Sequence, residues 1–378
     1  MIDFEEAFDS FTGIPLSVLN DSECLIKTGS FCFLWVADDS KTAQITHWIN
    51  ETFDPNQQSR IRILQNRPST FKLWFLQLFQ LSIDIPKVDL VYLRLFPGLK
   101  FKGSPTRLLR VDDPFGVSNN PILEFFAYWK RPKLLLARIL RTQGFLRSIK
   151  SSILIANSKF TLTRFAEVHK IKREKYVINP PVQFDEEIHK RLALKFNSTE
   201  LDQPYFLIIG GQRQRKDPIS LVNDWLRSEQ YFRFSIYIVG KLPMEKLAVQ
   251  AKRAISEQRL RFFSSITSDE LAALILQSSG VIFNSSGEGF GNPLAEALFM
   301  GRPVICNDLE VFKEVSGPFG HFYPSNNMKQ ALEVLEETLD NAENYSETAV
   351  TERIQYGKRF TKSHAVSIWK SIVEDFQH

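Results

Sequence analysis

The sequence is poor in the residues that build cysteine chemistry. Its 378 residues include only three cysteines, Cys24, Cys32 and Cys306, and none of them forms a C-x-x-C pair of the kind that binds metal or exchanges disulfides. An odd and sparse set indicates a reducing compartment rather than a secreted, disulfide-stabilised fold. The six histidines are scattered without metal-ligand spacing. The sequence therefore predicts no metal site.

Long apolar runs are also missing. The nearest candidate, residues 73–83, contains two glutamines and is much shorter than the roughly 20 apolar residues of a membrane-spanning helix. The opening residues, MIDFEEAFDSF, are acidic and lack the basic and then apolar pattern of a secretory signal peptide. We therefore expect a soluble protein of the cytoplasm.

The charge balance is mild, but the basic residues are unevenly placed. The net charge is +4 at pH 7, which does not predict nucleic-acid binding. Residues 125–150, FFAYWKRPKLLLARILRTQGFLRSIK, carry no acidic residue. Aromatic and leucine residues between the basic ones fit a peripheral surface on anionic membrane lipids. A core-facing helix with a basic outer face fits equally well.

Strand-like and helix-like patterns alternate along both halves of the chain. Strands are predicted at residues 31–36, 60–64, 88–96, 107–111 and 152–156, and then at 206–209, 236–239, 260–263, 281–283 and 304–305. Helices are predicted between them, including residues 70–83 and 244–255, and a linker follows Pro180 and Pro181 at 182–203. This alternation predicts an α/β fold of two doubly wound, Rossmann-like domains that face a cleft. The domains would span residues 1–181 and 182–360, with a C-terminal helix at 361–378 packing back toward the first.

The most informative segment is residues 281–307, VIFNSSGEGFGNPLAEALFMGRPVICN. It is typical of a strand, a glycine-rich loop, a helix and a second strand. Asn292 is a favourable helix N-cap, Pro293 suits the first helical position, and Gly301 suits the position after the helix. The helix N-terminus would present free N–H groups to an anion such as a diphosphate.

Two carboxylates flank the start of this predicted helix. Glu288 lies in the loop and Glu296 in the helix, eight residues later, while glycines at 287, 289 and 291 let the backbone approach a ligand closely. Since a carboxylate repels phosphate, accepting hydrogen bonds from sugar hydroxyls is the task that suits both glutamates. For either residue alone, a surface or capping role is the favoured interpretation, but for the whole segment the ligand-binding role is favoured.

A basic turn lies after the first strand of the second half. Arg213, Arg215 and Lys216 come between the predicted strand and the helix start at Asp217-Pro218. In isolation this turn is a solvated surface loop. Its position between a strand and a helix is that of a phosphate-binding loop.

These segments together resemble family-4 retaining glycosyltransferases of the GT-B fold, also called glycosyl transferases group 1. EGFGNPLAEALFMGRPVICND is similar to the family signature with its E-x7-E spacing. The strand and loop at residues 206–216, the segment YIVGK at 237–241 and the segment FSSITSDEL at 263–271 resemble three further family segments. The likeness covers nearly all of the second half and little of the first 100 residues.

The resemblance implies a nucleotide-sugar donor site. Glu288 would contact hydroxyls of the donor sugar, Glu296 would bind the ribose, and Lys216 with Arg213 or Arg215 would neutralise the diphosphate. The remaining donor-binding positions that the resemblance implies are Gly211, Gly240, Ile266, Gly289, Phe290, Gly291, Asn292, Pro293 and Leu294. The physical argument agrees, because fixed cations and N–H dipoles stabilise the charge that develops on a leaving diphosphate.

The resemblance also places a catalytic position in the first domain. Asp112 and Asp113 follow a predicted strand, where the family often has a histidine followed by an acid and proline. Asp112 departs from that pattern at the histidine position. In the family's retaining chemistry the β-phosphate of the donor helps to deprotonate the acceptor. Double displacement with an Asp or Glu nucleophile is the alternative.

The implied function is hexosyl transfer, with a preference for mannose, from a GDP- or UDP-linked donor to a glycan or lipid-linked acceptor. Synthesis of surface polysaccharide or lipopolysaccharide is the expected setting. No cofactor is expected, and no metal, since the chain lacks the D-x-D motif of metal-dependent transferases. Two alternatives stay open: a GT-B epimerase or phosphorylase, and a degenerate nucleotide-sugar-binding or scaffold protein. No nucleic-acid partner is expected.

Overall fold

The structure is a computed structural model of the full chain, and it describes most of the residues. The described residues are 1–3, 14–36, 41–65, 67–68, 72, 82–93, 100–112, 152–171, 175–184, 186–196, 203–210, 216–264 and 266–376. Within them the chain forms two compact units. Unit 1 comprises Met1–Pro180 together with Ser363–His378, and unit 2 comprises Pro181–Lys362. The sequence placed this boundary after residue 181 and the return of the chain at residue 361.

Unit 1 is built on a seven-stranded parallel sheet with the order β3-β2-β1-β5-β7-β8-β9. A second, two-stranded parallel sheet pairs β4 with β6. The strands are β1 Ile2–Asp3, β2 Cys32–Trp35, β3 Ile61–Leu64, β4 Ser82–Ile83, β5 Leu90–Leu93, β6 Lys100–Phe101, β7 Thr106–Val111, β8 Ile153–Ala156 and β9 Lys175–Val177. Most described residues of β2, β7 and β8 are buried, as in parallel strands that are covered on both faces.

The core of unit 1 draws on both ends of the chain. Its described helices are α1 Ile14–Lys27, α2 Thr42–Thr52, α3 Pro55–Gln58, α4 Lys159–His169 and the C-terminal helix Lys362–Asp375. Trp369 of the C-terminal helix is fully buried in one cluster with Ile26, Leu34 and Tyr92. The Tyr92 and Trp369 rings meet edge to face with centroids 5.7 Å apart. The last helix is therefore part of the first core.

Unit 2 contains a six-stranded parallel sheet with the order β12-β11-β10-β13-β14-β15. Its strands are β10 Tyr205–Ile209, β11 Ser235–Val239, β12 Leu260–Phe263, β13 Gly280–Phe283, β14 Val304–Asn307 and β15 Gly320–Tyr323. Its helices are α5 Glu186–Phe196, α6 Pro218–Arg227, α7 Ala251–Ser256, α8 Ser268–Gln277, α9 Asn292–Phe299, α10 Glu310–Ser316, α11 Met328–Asp340 and α12 Glu347–Gly357. The C-terminal helix, which belongs to unit 1, is α13. The predicted α/β class with two doubly wound sheets is confirmed.

Three local predictions were wrong. The linker predicted at 182–203 contains helix α5, which packs against α8 and pairs Arg191 with Asp269 at 2.5 Å. The single helix predicted at 244–255 is a short 3-10 turn, Met244–Lys246, and a separate α7. Residues 82–83 of the helix predicted at 70–83 form strand β4, paired with β6. In each case tertiary contacts decided a segment whose local pattern was ambiguous.

Candidate functional site

The order of strands in unit 2 reverses between β10 and β13. The chain runs outward from β10 through β11 to β12 and then returns to place β13 on the other side of β10. In open α/β sheets, ligands bind at the carboxyl ends of the strands at such a switch point. Gly210 follows β10 there with a φ of 89°, and its N–H donates to the carbonyl of Val239 at 2.9 Å. The glycine-rich loop at 284–291 follows β13 at the same edge.

Helix α9 begins at this edge, but its N-cap is not the predicted one. The N-cap is Gly291, whose φ of 108° favours glycine, and Asn292 is the first helical residue. Pro293 follows in the first turn, where its missing N–H breaks no helical hydrogen bond. No side chain caps the helix at Gly291. Pro293 has no N–H and Leu294 donates its own to the Gly291 carbonyl at 3.0 Å, so Asn292 supplies the backbone donor that the first turn can offer to a ligand.

The other end of α9 is closed as predicted. Gly301 has a φ of 74° and donates its N–H to the carbonyl of Leu298 at 2.9 Å, and Arg302 donates to Ala297 at 2.8 Å. These two bonds form a Schellman motif, which satisfies the last carbonyls of the helix. A rigid helix of eight residues is the result, with every residue from Pro293 to Phe299 buried.

Glu296 is the buried carboxyl group of this helix. Its side chain is almost fully enclosed, with the residue only 4% exposed. Burial raises the pKa of Glu296 from 4.5 to about 8, and the charge of Lys216 opposes that rise. Burial on an otherwise apolar helix makes the ionised form of this carboxyl group unfavourable. Its presence therefore indicates a role in binding a ligand rather than in stabilising the fold.

Lys216 lies at the end of β10, near Glu296. Its Nζ donates to the carbonyl of Ile209 at 3.2 Å and sits 4.4 Å from the centre of the Phe283 ring. Asn284 holds the backbone by donating from Nδ2 to the Lys216 carbonyl at 3.1 Å. The ends of β10 and β13 are thus tied together around one cation. A cation held at this edge attracts an anion bound at the carboxyl ends of the strands.

A small, partly open cavity lies beside Lys216. Its lining consists of Ile208, Ile209, Lys216, Pro218, Leu221, Ile282, Phe283 and Asn284. Lys216 is the charged member of this otherwise mostly apolar lining. The apolar surroundings strengthen the attraction between its ammonium group and any anion placed there.

Glu288 is half-buried in the loop before α9, and hydrogen bonds from the neighbouring strand order that loop. Asn307, at the carboxyl end of β14, accepts the N–H of Ser285 at 3.0 Å and donates to the Ser285 carbonyl at 2.9 Å. Ser285 Oγ in turn lies 3.4 Å from Glu288 Oε1. Because Asn307 binds both backbone groups of Ser285, the loop is fixed where it leaves the sheet.

Asn307 was not predicted as a site residue. It is buried, and its Nδ2 also donates to Ser325 Oγ at 2.9 Å, which is itself held by Asp308. Asn284 and Asn307 each lie at or directly after the end of a strand next to the switch point. An amide at this position of a predicted strand is the sequence signal that identifies such residues.

The other predicted donor-binding positions are distributed over the same edge of unit 2. Gly240 follows β11 with a φ of 124°, and Ile266 is half-buried just before α8. Gly289 and Phe290 are buried in the loop, and Pro293 and Leu294 are buried in α9. Gly211, Arg213 and Arg215 lie outside the described residues, as does the basic segment 125–150.

Helix α12 packs closely against α9, and a glycine allows this close approach. A Cβ atom on Gly357 would approach the Cα of Phe299 to 2.5 Å, which no side chain tolerates. Likewise, a Cβ on Gly301 would meet Val350 at 2.8 Å. The two helices therefore pack backbone to backbone, so the position of Glu296 depends on small residues outside the site.

Unit 1 holds the predicted residue Asp112 in a separate polar cluster. Arg110 of β7 donates from Nε to Asp112 Oδ1 at 2.9 Å, and its Nη1 lies 3.5 Å from Asp21 Oδ1. Tyr92 donates to the other oxygen of Asp21. The backbone carbonyl of Asp112 accepts a bond from Asn157 Nδ2 at 2.7 Å. Neither Asp21 nor Arg110 was predicted, and Asp113 lies outside the described residues.

Within the described residues, no group of three or more His, Cys, Asp and Glu side chains is arranged to hold a metal ion. No helix among those residues has the length and apolar character needed to cross a bilayer.

The family comparison matches the region that carries this site. Residues 190–354 match the family model of glycosyl transferases group 1. That range lies within unit 2 and includes Lys216, Glu288 and Glu296. The matched range is less than half of the chain, so the likeness to this family is shown for that range of unit 2.

Sequence relatives are mannosyltransferases that match part of the chain. Serotype-specific mannosyltransferase WbdA of Escherichia coli is 30% identical over 143 residues, which is 36% of this chain and 17% of the relative. O-antigen chain mannosyltransferase B of Escherichia coli is 26% identical over 164 residues, which is 42% of each protein. Phosphatidyl-myo-inositol mannosyltransferase of Mycobacterium leprae is 29% identical over 36% of this chain and 37% of its own. The match spans less than half of each relative.

Solved structures share the fold along the whole chain. WaaG, a glycosyltransferase involved in lipopolysaccharide biosynthesis, superposes with a TM-score of 0.59 at 13% identity, covering 99% of this chain and 97% of its own. Anabaena Alr3699/HepE, solved in complex with UDP and glucose, gives a TM-score of 0.63 at 14% identity, covering 100% and 98%. At these identities the likeness shows the fold alone.

Proposed function

We propose that this protein is a retaining hexosyltransferase that moves mannose from GDP-mannose to a glycan or glycolipid acceptor in surface polysaccharide or lipopolysaccharide synthesis. The observation that carries the proposal is the buried Glu296 beside Lys216, at the switch point of a parallel sheet. A carboxylate for ribose hydroxyls, a cation for phosphate and an uncapped helix N-terminus for the diphosphate meet there.

Each group has one task in binding the donor. Glu296 accepts hydrogen bonds from the ribose, and Glu288 accepts them from the hexose. Lys216 and the N-terminus of α9, with the N–H of Asn292, bind the diphosphate and stabilise the charge that develops as it leaves. Arg213 and Arg215 complete this counter-charge in the proposal. Because these groups are cations and dipoles, the transfer proceeds without a metal ion.

The preference for mannose and for a surface glycan rests on the relatives. WbdA and O-antigen chain mannosyltransferase B of Escherichia coli are mannosyltransferases by name, and the second acts on O-antigen chains. UDP-hexose is the alternative donor, supported by the UDP and glucose bound to Anabaena HepE. A lipid-linked acceptor and peripheral contact of residues 125–150 with an anionic membrane belong to the same proposal.

Retention is proposed through front-face attack, in which the β-phosphate of the donor takes the proton of the acceptor hydroxyl. The positive charge of Lys216 supports this route, because it stabilises the leaving diphosphate without a covalent intermediate.

A thermal-shift screen tests the donor site. The protein is melted with GDP, UDP, ADP and their common sugar nucleotides, with and without Mg²⁺, beside Glu296→Ala. We expect one nucleotide family to raise Tm without metal, and the effect to fade in the variant. If no nucleotide stabilises the wild type, the donor proposal is wrong. Stabilisation without product would favour the second candidate, a nucleotide-sugar-binding scaffold, which the aspartate at position 112 suggests.

Product analysis tests the stereochemistry. GDP-mannose is incubated with octyl α-mannoside, and the anomeric configuration of the new linkage is read by NMR. Since the mannosyl group of the donor is α-linked, an α-linked product means retention. A β-linked product would refute the retaining mechanism while leaving the transferase proposal in place.

A further inference from the structure

Two arginines of unit 2 lie at the edge of its sheet that is opposite to the candidate site. Strands β10, β13 and β14 begin at this edge, because all strands of the sheet are parallel. Arg302 stands directly before β14, between Gly301 and Pro303, and Arg353 lies in α12. A strand of four residues is roughly 13 Å long, so the two edges are separate surfaces of the unit.

Arg353 is fixed by neutral groups of the backbone. The residue is only 3% exposed. Its Nε donates to the carbonyl of Gly301 at 3.0 Å, and its Nη2 donates to the carbonyl of Asn344. These carbonyls orient the guanidinium, but they carry no formal charge with which to balance it. Arg353 is therefore a fixed cation at the amino ends of the strands.

Arg302 has fewer partners still. Its Nε is buried and has no hydrogen-bond acceptor. In the part of the chain that the structure describes, no carboxylate forms an ion pair with Arg302 or Arg353. A buried donor without an acceptor is costly and rare in folded proteins, so it indicates a partner that the chain itself does not supply. Arg302 is partly exposed, so such a partner can reach it from solvent.

The two guanidinium charges act on each other. Burial and then the charge of Arg302 lower the pKa of Arg353 to about 10, against the opposing influence of Tyr345 and of Glu352, which is exposed. Burial also lowers the pKa of Arg302. Tyr345 does not balance this charge, because burial raises its pKa to about 12 and its hydroxyl donates to the carbonyl of Ser279 at 2.9 Å. An anion between the arginines would replace their repulsion by two attractions.

We propose that Arg302 and Arg353 form a binding site for a phosphate group at the amino edge of the unit 2 sheet. Guanidinium groups bind phosphate through paired N–H donors, and the two charges of a phosphate dianion balance two arginines. Inorganic phosphate and the phosphate group of a small phosphorylated molecule share this chemistry. The site is distinct from the donor site around Lys216 and Glu296, so the inference goes beyond the proposed transferase function.

Phosphate-dependent thermal stability tests the site. Inorganic phosphate is titrated to about 20 mM at constant ionic strength, with sodium chloride as the balancing salt, so that screening of surface charges stays the same. Because phosphate can also bind at the donor site, all proteins carry Lys216→Met. We expect phosphate to raise the Tm of this background, and addition of Arg302→Met to weaken the apparent Kd for phosphate by about tenfold or more.

Arg227→Met on the same background is the matched control, because Arg227 is an exposed arginine at the end of α6. It should leave the phosphate titration unchanged. Equal titrations for the background and the Arg302→Met variant would overturn the proposal. An equal loss in the Arg227→Met variant would overturn it too, since phosphate would then bind positive surface charge in general.

Stability in chloride alone separates binding from a structural role. Since Arg302→Met removes a repelled charge and an unpaired donor, its Tm without phosphate should be no lower than that of the background. A lower Tm at every phosphate concentration, with the phosphate shift unchanged, would show a structural arginine and overturn the proposal. Arg302→Lys keeps the charge without the paired donors, so we expect it to weaken phosphate binding by less, about threefold.

Glucose 6-phosphate, titrated beside inorganic phosphate, separates the two sources of the phosphate group. Tighter binding of the sugar phosphate, lost in Arg302→Met, identifies a phosphorylated molecule as the ligand, and tighter binding of inorganic phosphate identifies the free ion. Binding of neither would overturn the proposal. None of these outcomes depends on a nucleotide, so failure of the donor proposal in the thermal-shift screen is a separate result.

Discussion

Glu296 should make the protein less stable as the pH rises. The pKa of this carboxyl is about 8 in the folded chain, because burial disfavours its charge, against 4.5 when exposed. Below pH 4.5 both states hold the proton and the group contributes nothing. Between pH 4.5 and 8 the unfolded chain releases the proton and the folded chain keeps it, so the folded state loses stability through this window. Above pH 8 the full cost is present.

The magnitude follows from the difference between the two pKa values. At 1.36 kcal/mol per pH unit, the rise from 4.5 to about 8 corresponds to a loss on the order of 5 kcal/mol by pH 8. Glu296→Gln keeps the shape of the side chain and removes its titration. We therefore expect the variant to lie within about 1 kcal/mol of the wild type at pH 5 and to exceed its free energy of unfolding by roughly 3 to 5 kcal/mol at pH 8.

Urea unfolding of both proteins at pH 5, 6, 7 and 8, followed by tryptophan fluorescence, measures this difference. Subtracting the variant from the wild type at each pH cancels every titration that the two proteins share. Glu288→Gln is the control, since Glu288 is only half-buried at the same site. A Glu296→Gln difference that stays constant from pH 5 to 8, or a less stable variant at pH 8, would refute the reasoning, because Lys216 would then hold the carboxylate ionised.

Four further outcomes are expected. Calorimetry should show GDP-mannose affinity rising up to roughly tenfold per pH unit between pH 6 and 8, because the ribose binds ionised Glu296, and the slope should vanish in Glu296→Gln. Lys216→Met should weaken donor binding by about tenfold or more in the same titration, with Tm nearly unchanged. Asn307→Asp should lower kcat by more than about tenfold in an assay of GDP release from GDP-mannose. The amide of Asn307 donates to the Ser285 carbonyl, whereas the second carboxylate oxygen of the aspartate would face that carbonyl and repel it. Trp369→Ala should cost about 3 to 5 kcal/mol in urea unfolding, because it empties a fully buried site.

The sequence predicts best those elements that carry their own boundary signals. Helix α8, Ser268–Gln277, carries such a signal, because Thr267 and Glu270 form a capping box at its start. The C-terminal glycine of α9 was likewise predicted, since a left-handed residue is needed there. At the start of α9 the prediction chose Asn292, whereas the backbone requires φ of 108° one residue earlier and therefore uses Gly291.

Elements that depend on distant partners were not predictable in this way. Helix α5 has a polar and charged surface between two uninformative segments, and its place is set by packing against α8, about 80 residues later in the chain. Helix α1 likewise lies in the first thirty residues, which showed no clear pattern. Both helices are stabilised by packing against another element, and the local periodicity of the sequence does not reveal that element.

The same division applies to the candidate site. Glu288, Glu296 and Lys216 stand in a recognisable order, so the sequence identified them as candidates. Arg110 was missed although the pattern Arg110-x-Asp112 puts both side chains on one face of a strand. The pattern does not include Asp21, which is distant in the sequence and contacts Arg110 only because α1 packs under β7. Register and packing, not composition, create the cluster.

The return of α13 to the first core makes unit 2 an inserted domain. Its residues, Pro181–Lys362, form one continuous stretch, whereas unit 1 is assembled from two separated stretches. During synthesis, unit 2 can fold as soon as its own residues have emerged, while the pocket that Trp369 fills in unit 1 stays open until α13 has been made. The first domain in the sequence is therefore the last to be completed.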